Sequence, residues 1–394
     1  MRICFIEDTC LHGGTQIWVV EAVRYFLSKG DAVTVLSPNE GWVAEQCRTT
    51  KARLVEYDFD EAVSQSGADR LSWIDALQDC EVAVCTVHPP RDGFHASVFS
   101  ARCIQEENLQ TYLITKTGTI VPEYLREYYL PKGFSRVSVV AISDYTRRFL
   151  IDTYAIPQEK VTMIYQGIDL QRFNPNRDRK TISRHRYPLP NQAQPVLCCI
   201  GSMEARKGHG YLIEALAALA AEHQPNIYLL LVGDGPEEHQ IRRMVKDLEL
   251  ENRVGFFPFT TEPELAFEQV DITVLPSVAK EGLPNVLQES LAMKVPVVAS
   301  ALGGVSEVVH DGQTGVLVKP GNVAELASAI DTLWSNQVNY QKMGDDGHRL
   351  VESKFDRMSQ FETFRVHFQS CLGAKEQAAG SKDSDRLPQW NEAR

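Results

Sequence analysis

The chain is predicted to be an α/β protein built as two domains, on two observations. Short apolar runs rich in β-branched residues alternate with longer amphipathic stretches from one end to the other, the pattern of parallel strands covered on both faces by helices. At 394 residues the chain also exceeds what one hydrophobic core usually supports, so two cores of roughly 150 to 200 residues are expected. Two such units facing each other describe an enzyme with a cleft.

In the first half, strands are predicted at residues 3–6, 32–36, 82–86, 112–115, 137–142 and 161–164, with a helix over 16–27 that ends at Gly30. The rhythm breaks between Phe173 and Gln194, a polar, basic segment with Pro175, Pro188 and Pro190, followed by Pro195. This places a first domain at 1–175, a linker at 176–194 and a second domain at 195–355. Within the second, strands are predicted at 195–201, 228–233, 254–256, 272–276, 296–300 and 315–318, with helices over 210–221 and 237–248. One further helix is expected over 356–372, and the polar, aperiodic residues 373–394 read as a disordered tail.

Composition narrows the possible functions. No run approaches the roughly 18 apolar residues of a membrane span, and residues 1–6 form a short strand running into Glu7 and Asp8 rather than an export signal. Nine cysteines, an odd number, with Cys4, Cys85, Cys198 and Cys199 inside apolar runs, suit reduced thiols and a cytoplasmic setting. A formal net charge of −12 opposes nucleic-acid binding and broad attraction to an anionic membrane, leaving room only for a local basic patch and peripheral contact at an inner membrane face.

The densest chemical signal is Glu281-Gly282-Leu283-Pro284-Asn285-Val286 followed by Glu289. It follows the strand ending at Pro276 and opens a helix, so it is a strand-to-helix turn at the carboxyl edge of a parallel sheet, where open α/β folds bind ligands. The exposed N–H groups and positive dipole end of such a helix suit a diphosphate. Glu289, more than a turn into the helix, can accept hydrogen bonds from the vicinal hydroxyls of a ribose, and Glu281 can do the same for a sugar beyond the phosphates. Taken alone, two glutamates eight residues apart are more readily a solvated surface. The glycine turn Gly303-Gly304-Val305-Ser306-Glu307 that follows is what sets this pair apart.

Residues 281–318 resemble the retaining glycosyltransferases of family 4, in Glu281 to Val286, Glu289-Ser290-Leu291-Ala292, Val295 to Ser300, Gly303-Gly304, Glu307 and Asp311-Gly312-Gln313-Thr314-Gly315. The resemblance implies the GT-B fold: two Rossmann-like domains across a cleft, with a final helix crossing back to the first. It implies that Glu289 binds the donor ribose, that Glu281 meets the transferred sugar, and that the amides of Leu283, Pro284's neighbours Asn285 and Val286, and the Gly282 turn meet sugar and diphosphate. Glu307 is expected to be structural, capping its own helix region.

A departing nucleoside diphosphate needs a cation. No cluster of Asp, Glu and His at metal spacing stands out, so no metal and no cofactor is expected, but Arg206-Lys207-Gly208 follows the strand that ends at Gly201. Family members carry Lys-Gly there with the lysine on the phosphates, which makes Lys207 the first candidate and Arg206 the second; a solvated basic turn is the plain alternative. The family often has Gly-Arg where this chain has Gly201-Ser202. Gly233-Asp234-Gly235-Pro236 matches the family's turn at that place and reads as a structural turn lining the cleft or as a contact to the nucleotide, and residues 256–259 as the place where the base docks.

In the first domain, Gly13 and Gly14 follow the opening strand, where the family's Gly-Gly faces the donor phosphates. Ile142-Ser143-Asp144 and residues 161–169 match the family as architecture, with Gln166 where asparagine is usual. A histidine common in the family near the donor sugar falls on Thr117 here, while His88 ends the preceding strand as a second cleft candidate. Lys116 could instead supply local charge there, with exposure to solvent the plainer expectation. The stretch Tyr124 to Lys132 mixes aromatic and basic residues, suited to stacking on an acceptor, to a lipid surface or to plain packing.

The expected activity is transfer of a hexosyl-type sugar from a UDP- or GDP-sugar to a hydroxyl of a carbohydrate, lipid-linked or small-molecule acceptor, with retention and without a metal. Three alternatives stand beside it: another enzyme of the same architecture, such as an epimerase or phosphorylase; a nicotinamide oxidoreductase, disfavoured because residues 7–12 separate the first strand from its glycines; and a catalytically silent sugar-binding protein.

Overall fold

A computed structural model describes residues 1–10, 13–60, 70–87, 95–118, 120–177, 180–222 and 224–380, with the backbone alone for 180–181, 222 and 374–380. The chain divides into two compact units: Met1–Val140, Tyr154–Ile164 and the residues from Phe361 onward form the first, and Ala141–Thr153 with Tyr165–Gln360 the second.

The first unit holds seven strands, β1 (Arg2–Ile6), β2 (Ala32–Pro38), β3 (Arg53–Tyr57), β4 (Val82–Val87), β5 (Tyr112–Thr117), β6 (Val137–Ala141) and β7 (Val161–Met163), in the order β3-β2-β1-β4-β5-β6-β7. Pairing from β3 to β6 is parallel. Alternation along β1 builds two cores. Ile3 and Phe5 join Trp18, Val19, Val23 and Phe26 of the helix Gly14–Ser28, while Cys4 and Ile6 face Trp73, Leu77 and Ile104 on the other side. Strand β3 was not predicted from sequence. It is an outer strand whose Arg53-Leu54-Val55-Glu56-Tyr57 buries only alternate residues, too weak an apolar run to stand out.

The last helix, Arg357–Gly380, carries Phe361, Phe364 and Phe368 at one-face spacing into the core of the first unit. The Phe364 ring lies 5.2 Å from Trp18, and Phe368 stacks on Phe26 at 5.6 Å. This helix runs past the expected stop at residue 372, because Ala374-Lys375-Glu376-Gln377-Ala378-Ala379 are all strong helix formers. The rest of the expected tail, 381–394, lies outside the described residues.

The second unit contains β8 (Val196–Ile200), β9 (Tyr228–Val232), β10 (Val254–Phe257), β11 (Ile272–Leu275), β12 (Val297–Ser300) and β13 (Gly315–Val318), in the order β10-β9-β8-β11-β12-β13 and parallel throughout. Strand order reverses between β8 and β11, so a crevice opens at their carboxyl ends. The loops that leave those two ends carry Arg206-Lys207 and Glu281. In the first sheet the same reversal falls between β1 and β4, at the end that leads to Gly13 and Gly14.

Phe364→Ala is expected to destabilise the first unit by about 3–5 kcal/mol, because the ring is fully buried among aromatic neighbours that cannot collapse into its space. Urea unfolding checks this; a loss below about 1 kcal/mol would mean the final helix contributes little to that core.

Candidate functional site

Two loops of the second unit meet through an ion pair between a half-buried ammonium and a buried carboxylate. After β8 the chain passes Ser202 and Glu204 into the short helix Ala205–Lys207; after β11 it passes Pro276 and Ser277 to Glu281. Lys207 Nζ lies 2.7 Å from Glu281 Oε1, and Ser277 Oγ donates to the same oxygen at 2.6 Å. The Glu281 side chain is only 6% exposed. Arg206 stands behind this pair, its Nη1 3.9 Å from Glu281 while its Nε donates to Glu204 at 2.7 Å. Ser202 Oγ holds the other Glu204 oxygen at 2.9 Å. Glu204 thereby orients Arg206 without neutralising Lys207, and burial of the Glu281 carboxylate is offset by one charged donor and one neutral one.

The backbone brings the loops this close. Gly208 takes φ +71°, and a Cβ there would lie 2.1 Å from the Pro276 carbonyl oxygen. Val278 N–H donates to the Arg206 carbonyl at 2.8 Å. Lys280 adopts φ +59°, a left-handed conformation that costs a residue with a side chain about 1 kcal/mol and turns the chain just before Glu281. A third loop buttresses the second: Gly303 and Gly304 press against the Glu281 and Gly282 carbonyls, where a Cβ on either would come within 1.8 Å of oxygen. The glycine pair therefore shapes the Glu281 loop from behind.

From this loop the helix Asn285–Ala292 departs. Its N-cap is Pro284, with no side-chain capping bond, so its first N–H groups have no side chain to satisfy them. Leu283 and Leu287 anchor the turn in the apolar core, while Gly282, Asn285 and Val286 keep accessible surface. Glu289 is the fifth residue of the helix. It is enclosed by protein yet retains some accessible surface, as a group lining a recess does. Burial pushes its carboxyl up to about 7, opposed by the Arg172 guanidinium and reinforced by Glu264. Arg172 is itself held by Glu264, with Nε–Oε2 2.9 Å and Nη2–Oε2 2.7 Å.

Glu307 corrects its expected role. Its carboxylate accepts from the Asp144 and Tyr145 N–H groups, both at 2.8 Å, and so caps the helix Asp144–Asp152 rather than its own. The turn at Gly233 to Pro236 packs on the turn after β8: Met203 N–H donates to the Asp234 carbonyl at 2.8 Å, and Asp234 Oδ2 accepts from Phe259 N–H at 3.0 Å.

The other candidates lie in the first unit. Gly13 is extended, with φ −179°, and Gly14 opens the helix Gly14–Ser28. Thr117, the last residue of β5, is fully buried. Lys116, expected to be exposed, is 2% exposed because strand alternation turns it under that helix. The Tyr124 to Lys132 stretch divides: Tyr124 projects into solvent, whereas Tyr129 is buried and its hydroxyl accepts from Val121 N–H at 3.1 Å. His88 lies outside the described residues.

The structure thus gathers Glu281, Lys207 and Arg206 into one cluster and sets Glu289 on the helix leaving it. Ser277, Glu204, Arg172 and Glu264 escaped sequence reasoning. Ser277 had a signal, standing four residues before Glu281 at a strand end; Glu264 lies 92 residues from Arg172 and had none.

Residues 182–349 match the family model described as glycosyl transferases group 1, and residues 12–172 match that of glycosyltransferase family 4. A GDP-mannose-dependent alpha-(1-6)-phosphatidylinositol monomannoside mannosyltransferase of Mycolicibacterium smegmatis is 32% identical over 53% of this chain and 56% of that protein. The lipopolysaccharide core biosynthesis glycosyltransferase LpsE of Rhizobium meliloti is 31% identical over 45% of this chain and 50% of its own. The chain therefore spans about half the length of these curated relatives. HepE of Anabaena, crystallised with UDP-glucose, superposes with TM-score 0.80 at 21% identity over 94% of this chain and 100% of that one, a likeness of fold.

Glu289→Gln is expected to separate stability from binding. The folded-state pKa lies above the ordinary value of 4.5, so the fold disfavours the ionised carboxylate, a penalty absent below about pH 4.5 and full above about pH 7. The variant should melt higher than the parent at pH 8, with the gap closing as pH falls to 5. A gap independent of pH contradicts the titration of Glu289.

Proposed function

The chain belongs to the group 1 glycosyltransferases of family 4, and we propose on that footing that it moves a hexosyl sugar from a UDP- or GDP-sugar to an acceptor hydroxyl with retention of configuration and without a metal. The observation that carries this reading is the cluster of Lys207, Arg206 and Glu281 at the strand-order reversal of the second sheet, beside an uncapped helix start.

In this reading the diphosphate lies over the first turn of the helix Asn285–Ala292, with Lys207 and Arg206 against its oxygens. As the bond from the sugar's anomeric carbon to the phosphate oxygen breaks, negative charge grows on the diphosphate and the two cations stabilise it. The acceptor oxygen forms the new bond on the face the leaving group vacates, and its proton passes to the departing phosphate oxygen. No protein nucleophile enters. Glu281, held by Lys207 and Ser277, accepts hydrogen bonds from the transferred sugar, and Glu289 accepts them from the ribose. A GDP-mannose-dependent relative and a UDP-glucose-bound structural neighbour support a nucleotide-diphosphate hexose as donor. The acceptor is a carbohydrate, lipid-linked or small-molecule hydroxyl.

Proton NMR of the first product formed tests this directly: the donor's anomeric configuration should persist, and an inverted linkage contradicts the mechanism. Lys207→Ala should lower kcat by about 100- to 1000-fold. Activity in excess EDTA should be unchanged; loss that magnesium restores would overturn the metal-free chemistry.

A further inference from the structure

A groove of about 1290 Å³ opens in the first unit where the chain leads into β6 and β7. Phe134 and Ser135 line it just before β6, and Ile156 and Lys160 just before β7, so it lies at the amino ends of these strands. Gly13 and Gly14 follow the carboxyl end of β1, and pairing from β1 through β4 and β5 to β6 is parallel. Groove and glycine turn therefore stand on opposite edges of one sheet. Small-molecule ligands of open α/β sheets bind at the carboxyl ends of the strands, so the groove lies outside the site proposed for sugar transfer.

Its composition is that of an interface. Leu130, Phe134, Tyr154 and Ile156 give it apolar walls, and Tyr124 lines it with 79% of its own surface in solvent. Around this apolar centre stand Glu123, Arg126, Glu127 and Lys132, all exposed and two of each sign. Among the described residues none of these four side chains has a hydrogen-bond or ion-pair partner. A fifth charge, Lys160, is satisfied within the chain, its Nζ donating to the Ser135 carbonyl at 2.6 Å. The short helix Glu123–Tyr128 is of the 3₁₀ type, so residues three apart stand above one another. One row reads Glu123 then Arg126, and the next reads Tyr124 then Glu127. A copy of the first row laid antiparallel against it, as a two-fold axis requires, sets each Arg126 against a Glu123. The row is complementary to itself. An anionic lipid surface would instead meet Glu123 and Glu127 with the wrong sign, and the net charge of −12 adds to that repulsion.

We infer that this groove seats a second copy of the chain in a two-fold dimer, in which the Tyr124 ring of each copy enters the apolar groove of the other and Arg126 pairs with Glu123 across the axis. Because the surface lies at the amino edge of the first sheet, such a dimer leaves the carboxyl edge open to substrate. The inference stands independently of the glycosyltransferase reading.

Sedimentation equilibrium of the full chain tests the inference. With rising concentration the parent should associate to a species of twice the chain's mass. Tyr124→Ser should raise the dissociation constant about 30-fold, as loss of an interface anchor does. Arg126→Glu and Glu123→Arg should each weaken association about tenfold, because each sets like charges face to face. The double variant carrying both reversals should return to within about threefold of the parent, since the row is then complementary to itself again. That recovery separates a broken contact from a damaged fold, which a second substitution does not repair. A parent that stays monomeric up to about 100 µM, a dimer that Tyr124→Ser leaves intact, or a double variant no better than either single one overturns the inference. So does a monomeric parent that binds vesicles of phosphatidylcholine with about a third phosphatidylserine and loses that binding in Tyr124→Ser, which assigns the groove to a lipid surface.

Discussion

The contact between Lys207 and Glu281 is the constraint around which the second unit is arranged. Glu281 is 6% exposed, and Lys207 reaches it from a different loop, 74 residues away in sequence. Without Lys207, the buried Glu281 carboxylate would keep the Ser277 hydroxyl at 2.6 Å and the more distant Arg206 at 3.9 Å. The surrounding geometry follows from bringing these loops together. Gly208 yields to the Pro276 carbonyl, Gly303 and Gly304 yield to the Glu281 and Gly282 carbonyls, and the sheet reverses its order where the two loops emerge. The pair also has chemical consequences. On the proposed function, an ammonium that holds the carboxylate offered to the transferred sugar would couple the positions of sugar and leaving group.

Much of this was legible in the sequence because it is local. The alternation of apolar runs and helical stretches located twelve of the strands, and the spacing of Glu281, Gly282 and Glu289 placed a turn and a helix where they stand. Lys207 stood out through the resemblance to family 4, whose members carry Lys-Gly after that strand. What could not be read depends on the third dimension. Glu307 caps a helix that begins 163 residues earlier, and nothing in its own neighbourhood says so. Arg172 and Glu264 meet from distant segments. Strand β3 alternates too weakly to register as an apolar run. Lys116 is the clearest case: a lysine near the end of a strand reads as solvated, and only the sheet's alternation beneath the helix Gly14–Ser28 makes it buried.

The two units solve related problems with different charge arrangements. In the second, Lys207 and Arg206 are paired with the carboxylates of Glu281 and Glu204. In the first, the Trp18 indole N–H and the Thr86 hydroxyl are buried without a partner among the described residues. Each arrangement lies at a reversal of strand order, which gives a short helix start and open loop ends in both sheets.

The central claim is that Lys207 and Glu281 act on the donor as a unit. A double-mutant cycle with Lys207→Met and Glu281→Gln, read as the free energy of binding a UDP- or GDP-sugar, measures it most directly. The account predicts strong non-additivity, with the double variant binding much as the weaker single variant does, a coupling of about 1–3 kcal/mol. Additive losses, within about 0.5 kcal/mol, would show that the two side chains meet the donor independently and would contradict it.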